Sequence, residues 1–168
     1  MMDRLRTTAG LTKVIKNLND RTGSFRSFQI KDSTISFLLC DKRQQFEMEL
    51  IKAQGIKVIV SLTEQQHQAP LLADHFETFH IPIPDLCAPK VEQAKTLLEI
   101  LKDAYKTNRP VAVHCLAGIG RTSTMLLAAH LLKGEDREFL LSKIKKRNPS
   151  FVLTPSQKEF IDSVSQGK

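Results

Sequence analysis

Tryptophan is absent from this chain of 168 residues, tyrosine occurs once, at Tyr105, and aromatic residues make up only 6%. Single-stranded nucleic acid is gripped by stacking bases on aromatic rings, and the chain has few rings to offer. No apolar run approaches the roughly 18 residues that cross a bilayer. Met1 to Gly10 is polar and lacks the apolar stretch of a secretory signal. A cytoplasmic location is therefore the expectation. Cysteine is scarce: Cys40, Cys87 and Cys115 have neither metal-ligand spacing nor the pattern of a disulfide framework. No cluster of His, Asp or Glu has metal spacing either, so no cofactor is expected.

What is present suits one globular domain. Apolar residues at 41% can form a core, and charged residues at 26% are ordinary for a soluble chain. The net charge of +7 favours anionic partners, whether phosphorylated protein, nucleic acid or an acidic membrane surface, without choosing among them.

Leu11, Val14, Ile15 and Leu18 fall at helical spacing, so residues 1–24 read as an extension with a short helix packed on a domain at 25–168. Phe25 to Ile30 and Thr34 to Leu39 read as strands joined by a turn, and Lys42 to Gln54 as a helix ending at Gly55. Ile56 to Leu62 is a Val/Ile-rich run expected of a strand buried on both faces. A short helix over Leu71 to Phe76 and a strand over Thr78 to Ile83 follow. Val91 to Lys106 is amphipathic, with Val91, Ala94, Leu97, Leu98, Leu101 and Tyr105 on one face. Val111 to His114 reads as a buried strand, Arg121 to Leu132 as an apolar core helix, and Arg137 to Arg147 as a basic helix stopped by Asn148-Pro149. Thr154 is the expected N-cap of a last helix reaching Val164. Strands alternating with helices predict an α/β domain with a central, mainly parallel sheet flanked by helices.

The chemistry concentrates between Val111 and Thr122. A buried strand enters a loop of Cys115, Leu116, Ala117, Gly118, Ile119 and Gly120, and a helix begins at Arg121. Bare N–H groups at a helix start bind anions, and the helix dipole adds to them. Gly118 and Gly120 allow the backbone to curl so that successive N–H groups converge. Cys115 opens the loop, where those dipoles favour a thiolate. Arg121 closes it with a planar fork suited to phosphate. The pattern is a phosphate cradle, residues 115–121, with a nucleophile at its base.

The run His114-Cys115-Leu116-Ala117-Gly118-Ile119-Gly120-Arg121-Thr122 resembles the signature loop of protein tyrosine phosphatases and dual-specificity phosphatases. Phe79 to Asp85 resembles the general-acid loop of the small atypical dual-specificity subgroup, Thr154 to Gln157 a later segment whose Gln orients water, and Ile56 to Glu64 the family's central strand and turn. The resemblance covers roughly residues 25–165. It implies a protein tyrosine phosphatase-like fold and a metal-independent phosphatase working through a phosphocysteine. Cys115 is then the nucleophile, Arg121 the phosphate clamp, and Asp85 the general acid and later base. Thr122 eases thiolate departure, Gln157 places the hydrolytic water, and His114 braces the loop.

Each residue also has a plainer role. Asp85 follows Pro84 as turn aspartates do, Thr122 sits in a helix's first turn, and His114 suits a core. Gln157 suits a solvated helix face, and so do Lys143, Lys145, Lys146 and Arg147, which otherwise form a docking surface for an acidic partner. Cys87, two residues past Asp85, is either inert or a redox partner that traps an oxidised Cys115. Phosphoprotein is the expected substrate: phosphotyrosine, with phosphoserine and phosphothreonine, since no segment for a tyrosine-recognition loop is visible. Phosphoinositide-acting relatives carry lysines inside the loop, which Leu116, Ala117 and Ile119 do not supply. An RNA 5′-triphosphatase, a phosphate-binding pseudophosphatase and a rhodanese or arsenate reductase complete the alternatives.

Overall fold

The computed structural model describes residues 27–31, 55–64, 73–115, 120–147 and 152–167. The expected helix at 11–18, the strand at 34–39, the helix at 42–54 and the loop interior at 116–119 lie outside the described residues, as do the side chains of His114, Lys146 and Arg147.

Four strands form one sheet: β1 (Ser27–Lys31), β2 (Val58–Ser61), β3 (Glu77–His80) and β4 (Val111–Cys115), in the order β1-β4-β2-β3. Every pairing is parallel, with Lys31 opposite Cys115 and Ser61 opposite His114. Parallel strands of one sheet cannot be joined by a tight turn, and helix α1 (Val91–Lys106) makes the crossover from β3 past β2 to β4. Helices α2 (Arg121–Lys133), α3 (Arg137–Arg147) and α4 (Pro155–Gln166) complete the order. Strand β2 is buried at every position, as its unbroken apolar run predicts.

Helix α1 follows the amphipathic pattern, burying Ala94, Leu97, Leu98, Leu101 and Ala104; Val91 and Tyr105, expected on that face, are exposed at its two ends. It packs on α2, which also meets α3, α4 and β4. That central position explains why residues 121–131 of α2 are all buried. Full burial of Leu97, Leu101, Met125 and Ile161 unites these layers in one core, each large side chain contributing about 1.5–3 kcal/mol. Gly134 ends α2 at φ 106°, a left-handed conformation that costs a side-chain-bearing residue dearly. Among the described residues, no helix is long and apolar enough to cross a membrane.

Two strands are shorter than their apolar runs. Ile56 and Leu62 are buried yet flank β2, and Ile81 and Ile83 are buried beyond the end of β3. The chain there is extended but tied singly: Ile81 N–H donates to Ser61 O at 2.9 Å, and Ile83 N–H to Leu62 O at 3.1 Å. Hydrophobicity reports burial and not ladder membership, so the runs overshoot the strands. The helix expected over 71–76 lies partly outside the described residues; Ala73 is helical, and residues 74–76 turn into β3.

Candidate active site

The carboxyl ends of β2, β3 and β4 share one edge of the sheet, the edge where open parallel sheets place their ligands. Cys115 is the last residue of β4, 2% exposed and with a free thiol. Arg121 is the first residue of α2 and only 5% exposed. Its Nη1 donates to Ile83 O at 3.0 Å, and its Nη2 lies 3.4 Å from Asp85 Oδ1. A guanidinium has five N–H donors, and these contacts leave donors to grip an anion. A buried cation at a helix N-terminus opposes the dipole, and a bound anion would relieve both costs.

Thr122 follows on the first turn of α2. Its hydroxyl is buried and, among the described residues, has no hydrogen-bond partner. An orphaned buried hydroxyl is costly and stands ready for a group that arrives with substrate or with the ionised thiol. Thr124 closes the turn instead, its N–H and Oγ1 both donating to Gly120 O, at 2.9 and 2.7 Å.

Asp85 sits in a tight turn beyond β3. Cys87 N–H donates to Pro84 O at 3.1 Å, and Leu86 N–H to Asp85 Oδ1 at 2.9 Å. The third residue of the turn, Leu86, has φ 62°. That left-handed backbone costs a residue such as Leu about 1–2 kcal/mol, so its surroundings must hold it. Asp85 N–H donates to Glu64 Oε1 at 3.2 Å, and Gln93 Nε2 donates to Pro82 O at 2.9 Å. His80 Nε2 lies 2.7 Å from Thr63 O at the foot of the loop. The Asp85–Arg121 contact is open to solvent on the carboxylate side and contributes little to stability. Its value is placement.

Gln157 is buried in the first turn of α4. Its Oε1 accepts from Thr154 N–H at 3.0 Å, and its Nε2 donates to Cys87 O at 3.2 Å. Among the described residues one N–H and one lone pair of the amide remain for a water. A Cβ on Gly120 would come within 3.3 Å of Gln157 Nε2, so glycine there lets this amide press against the end of the loop.

Arg121 thus meets Asp85, and Gln157 meets both the Asp85 turn and Gly120, at the end of the sheet where β4 finishes at Cys115 and α2 begins with Arg121 and Thr122. Leu116, Ala117, Gly118 and Ile119 lie outside the described residues. Cys87 is exposed on the Asp85 turn with a free thiol. Of the basic residues on α3, Lys145 is exposed, but the Lys143 ammonium is buried and stands 4.9 Å from the centre of the Phe139 ring. The solvated face expected of α3 therefore does not include it. Sequence reasoning passed over Glu64 and the Ile83 carbonyl, and took Thr154 only as a cap. An acidic residue just past the central strand was the one available signal.

A family model described as the DSP-PTPase phosphatase of polymorphic toxin systems matches residues 40–135. Cyclin-dependent kinase inhibitor 3 of Rattus norvegicus is 34% identical over 97 residues, covering 52% of this chain and 45% of that protein. The PRL-1 phosphatase of Drosophila melanogaster is 28% identical over 125 residues, covering 67% of this chain and 68% of that protein. The crystal structure of Tk-PTP in the active form has a TM-score of 0.64 at 25% identity, covering 73% of this chain and 86% of that one. The chain spans about half the length of the first of these curated relatives.

Proposed function

Because this chain belongs to the DSP-PTPase phosphatase family, as a small atypical dual-specificity member of the cysteine-dependent protein tyrosine phosphatase superfamily, we propose that it hydrolyses phosphate monoesters through a phosphocysteine on Cys115. The observation that carries this reading is the buried Arg121, held between Ile83 O and Asp85 and, among the described residues, with donors left unengaged.

Arg121 and the N–H groups of residues 116–121 hold the equatorial phosphoryl oxygens. The Cys115 thiolate attacks phosphorus in line: the S–P bond forms, the ester P–O bond breaks, and Asp85 gives its proton to the departing oxygen. Water then attacks the phosphocysteine. Asp85 takes a proton from it, inorganic phosphate leaves, and Cys115 returns as thiolate. Thr122 donates its hydroxyl proton to that thiolate, Gln157 orients the water with its remaining amide valences, and His114 braces the loop. The nucleophile is a thiolate, so no step calls for a metal-activated water. The substrate class is phosphoprotein, phosphotyrosine first and phosphoserine or phosphothreonine next, in the cytoplasm. Lys145 with Lys146 and Arg147 would be the docking face for acidic segments.

The test is a rapid acid quench during turnover of an aryl phosphate, followed by peptide mass mapping. Phosphate carried on the Cys115 peptide is the expected result. Cys115→Ser should lose at least about 10³-fold in turnover while still binding phosphate. Near wild-type turnover in that variant would rule out the mechanism.

A further inference from the structure

We propose that Thr154 is a positioning residue for the general acid, its hydroxyl latching the Asp85 turn to the N-terminus of α4. The proposal rests on the reading of Asp85 as the acid.

Thr154 Oγ1 donates to Leu86 O at 3.0 Å, a contact across 68 positions of sequence. The same oxygen accepts from Gln157 N–H at 3.3 Å and lies 3.2 Å from Ser156 Oγ. A hydroxyl has one proton to donate. With that proton given to Leu86 O, Thr154 is the acceptor toward both Gln157 and Ser156. One side chain therefore caps α4 by accepting and holds the acid turn by donating.

Gln157 extends the latch, since its amide joins Thr154 N–H to Cys87 O. Two successive carbonyls of the acid turn, Leu86 and Cys87, are thus both held by the start of α4. On its other side the turn is held through Asp85 N–H on Glu64 and through the Asp85 carboxylate beside Arg121. Leu86 explains why a latch is needed. Its side chain is 68% exposed, while its backbone sits at φ 62°. Released from Thr154, the turn relaxes toward commoner backbone angles, and the Asp85 carboxylate moves away from Arg121 and the phosphate beside it. Capping alone would accept Asp or Asn as well as Ser or Thr. Latching requires a donor, so Thr154→Asp separates the two roles: the carboxylate still accepts from Gln157 N–H and has no proton for Leu86 O.

The experiment measures kcat/KM for aryl phosphates of graded leaving-group ability, alongside thermal unfolding, in wild type, Thr154→Asp, Thr154→Ser and Asp85→Ala. A departing group that needs a proton feels the loss of a placed acid, and a good leaving group hardly does. Thr154→Asp should keep its unfolding midpoint within a few degrees. It should lose about 10-fold on phenyl phosphate and about 2-fold or less on p-nitrophenyl phosphate, with Thr154→Ser close to wild type on both. Equal losses on the two esters, or no loss, would overturn the latch. Should Thr154→Asp fold poorly, the same ratio is read in Thr154→Val; a ratio within one variant does not depend on its folded fraction, and a wild-type ratio there overturns the latch equally. If Asp85→Ala itself falls equally on both esters, the acid assignment fails and the latch with it. A leaving-group effect in Asp85→Ala without one in Thr154→Asp sinks the latch alone.

Discussion

Arg121 shows how much one side chain can be asked to do. Its fork reaches Ile83 O with one nitrogen and the Asp85 carboxylate with the other, so the residue we propose as the phosphate clamp also ties down the Asp85 turn. Lysine keeps the charge but presents a single point, without the planar pair of nitrogens. Arg121→Lys should therefore lose both phosphate complementarity and the Ile83 tie, lowering kcat by about 10²–10³, the usual cost of removing an oxyanion-type donor. Steady-state kinetics on p-nitrophenyl phosphate decides it; a loss confined to KM would mean that Arg121 binds ground state and transition state alike. The orphaned Thr122 hydroxyl fits the same picture of a site whose polar groups complete their bonding only when anion and thiolate are present.

Helix α2 links this site to the rest of the fold, and its far end carries a prediction of its own. Glu135 lies just past the helix, with Oε2 2.8 Å from His130 Nδ1 and Oε1 3.0 Å from Lys133 Nζ. Burial raises its pKa, but the His130 and Lys133 contacts together outweigh that and leave the carboxyl below its ordinary value of 4.5. A group lowered on folding adds stability that is present above its unfolded pKa and lost as pH falls through the folded one. Glu135→Gln should therefore be less stable than wild type near pH 7, and the gap should close as pH falls below the ordinary carboxyl value of 4.5. Urea unfolding at several pH values measures it, and a gap independent of pH would show that the charge is not what matters. Such pairings also mark where the sequence could be read and where it could not. Helices α1 and α3 fall at the expected bounds, because apolar spacing and the Asn148-Pro149 stop are local signals. The end of β4 beside Cys115 and the start of α2 at Arg121 were visible because strand, glycines and helix start are consecutive. The ties that place Asp85 were not visible. Ile83, Leu86 and Cys87 all contribute backbone carbonyls to distant side chains, and a carbonyl leaves no mark in the identity of its residue.

Charge acts on the molecule as a whole. A net charge of +7 attracts the dianionic phosphoryl group from solution and attracts an acidic peptide carrying it more strongly. At about 0.1 M ionic strength the screening length is about 10 Å, so added salt should weaken approach over longer distances while leaving chemistry inside the buried cradle nearly untouched. The expected result is a kcat/KM that falls with salt, more steeply for an acidic phosphopeptide than for p-nitrophenyl phosphate, and a kcat that changes little for either. Among the described residues Lys145 is the exposed basic residue on α3, and Lys145→Glu should flatten the peptide's salt dependence while leaving that of the small ester alone. The comparison separates two ways a basic protein can favour an acidic substrate. If α3 docks the peptide, the reversal acts on the peptide alone. If only the overall field matters, it lowers the salt slope of both substrates together, and the docking face is excluded. A peptide slope no steeper than the ester's in wild type would show that neither operates beyond the phosphoryl group, and that recognition is confined to the pocket of Cys115 and Arg121.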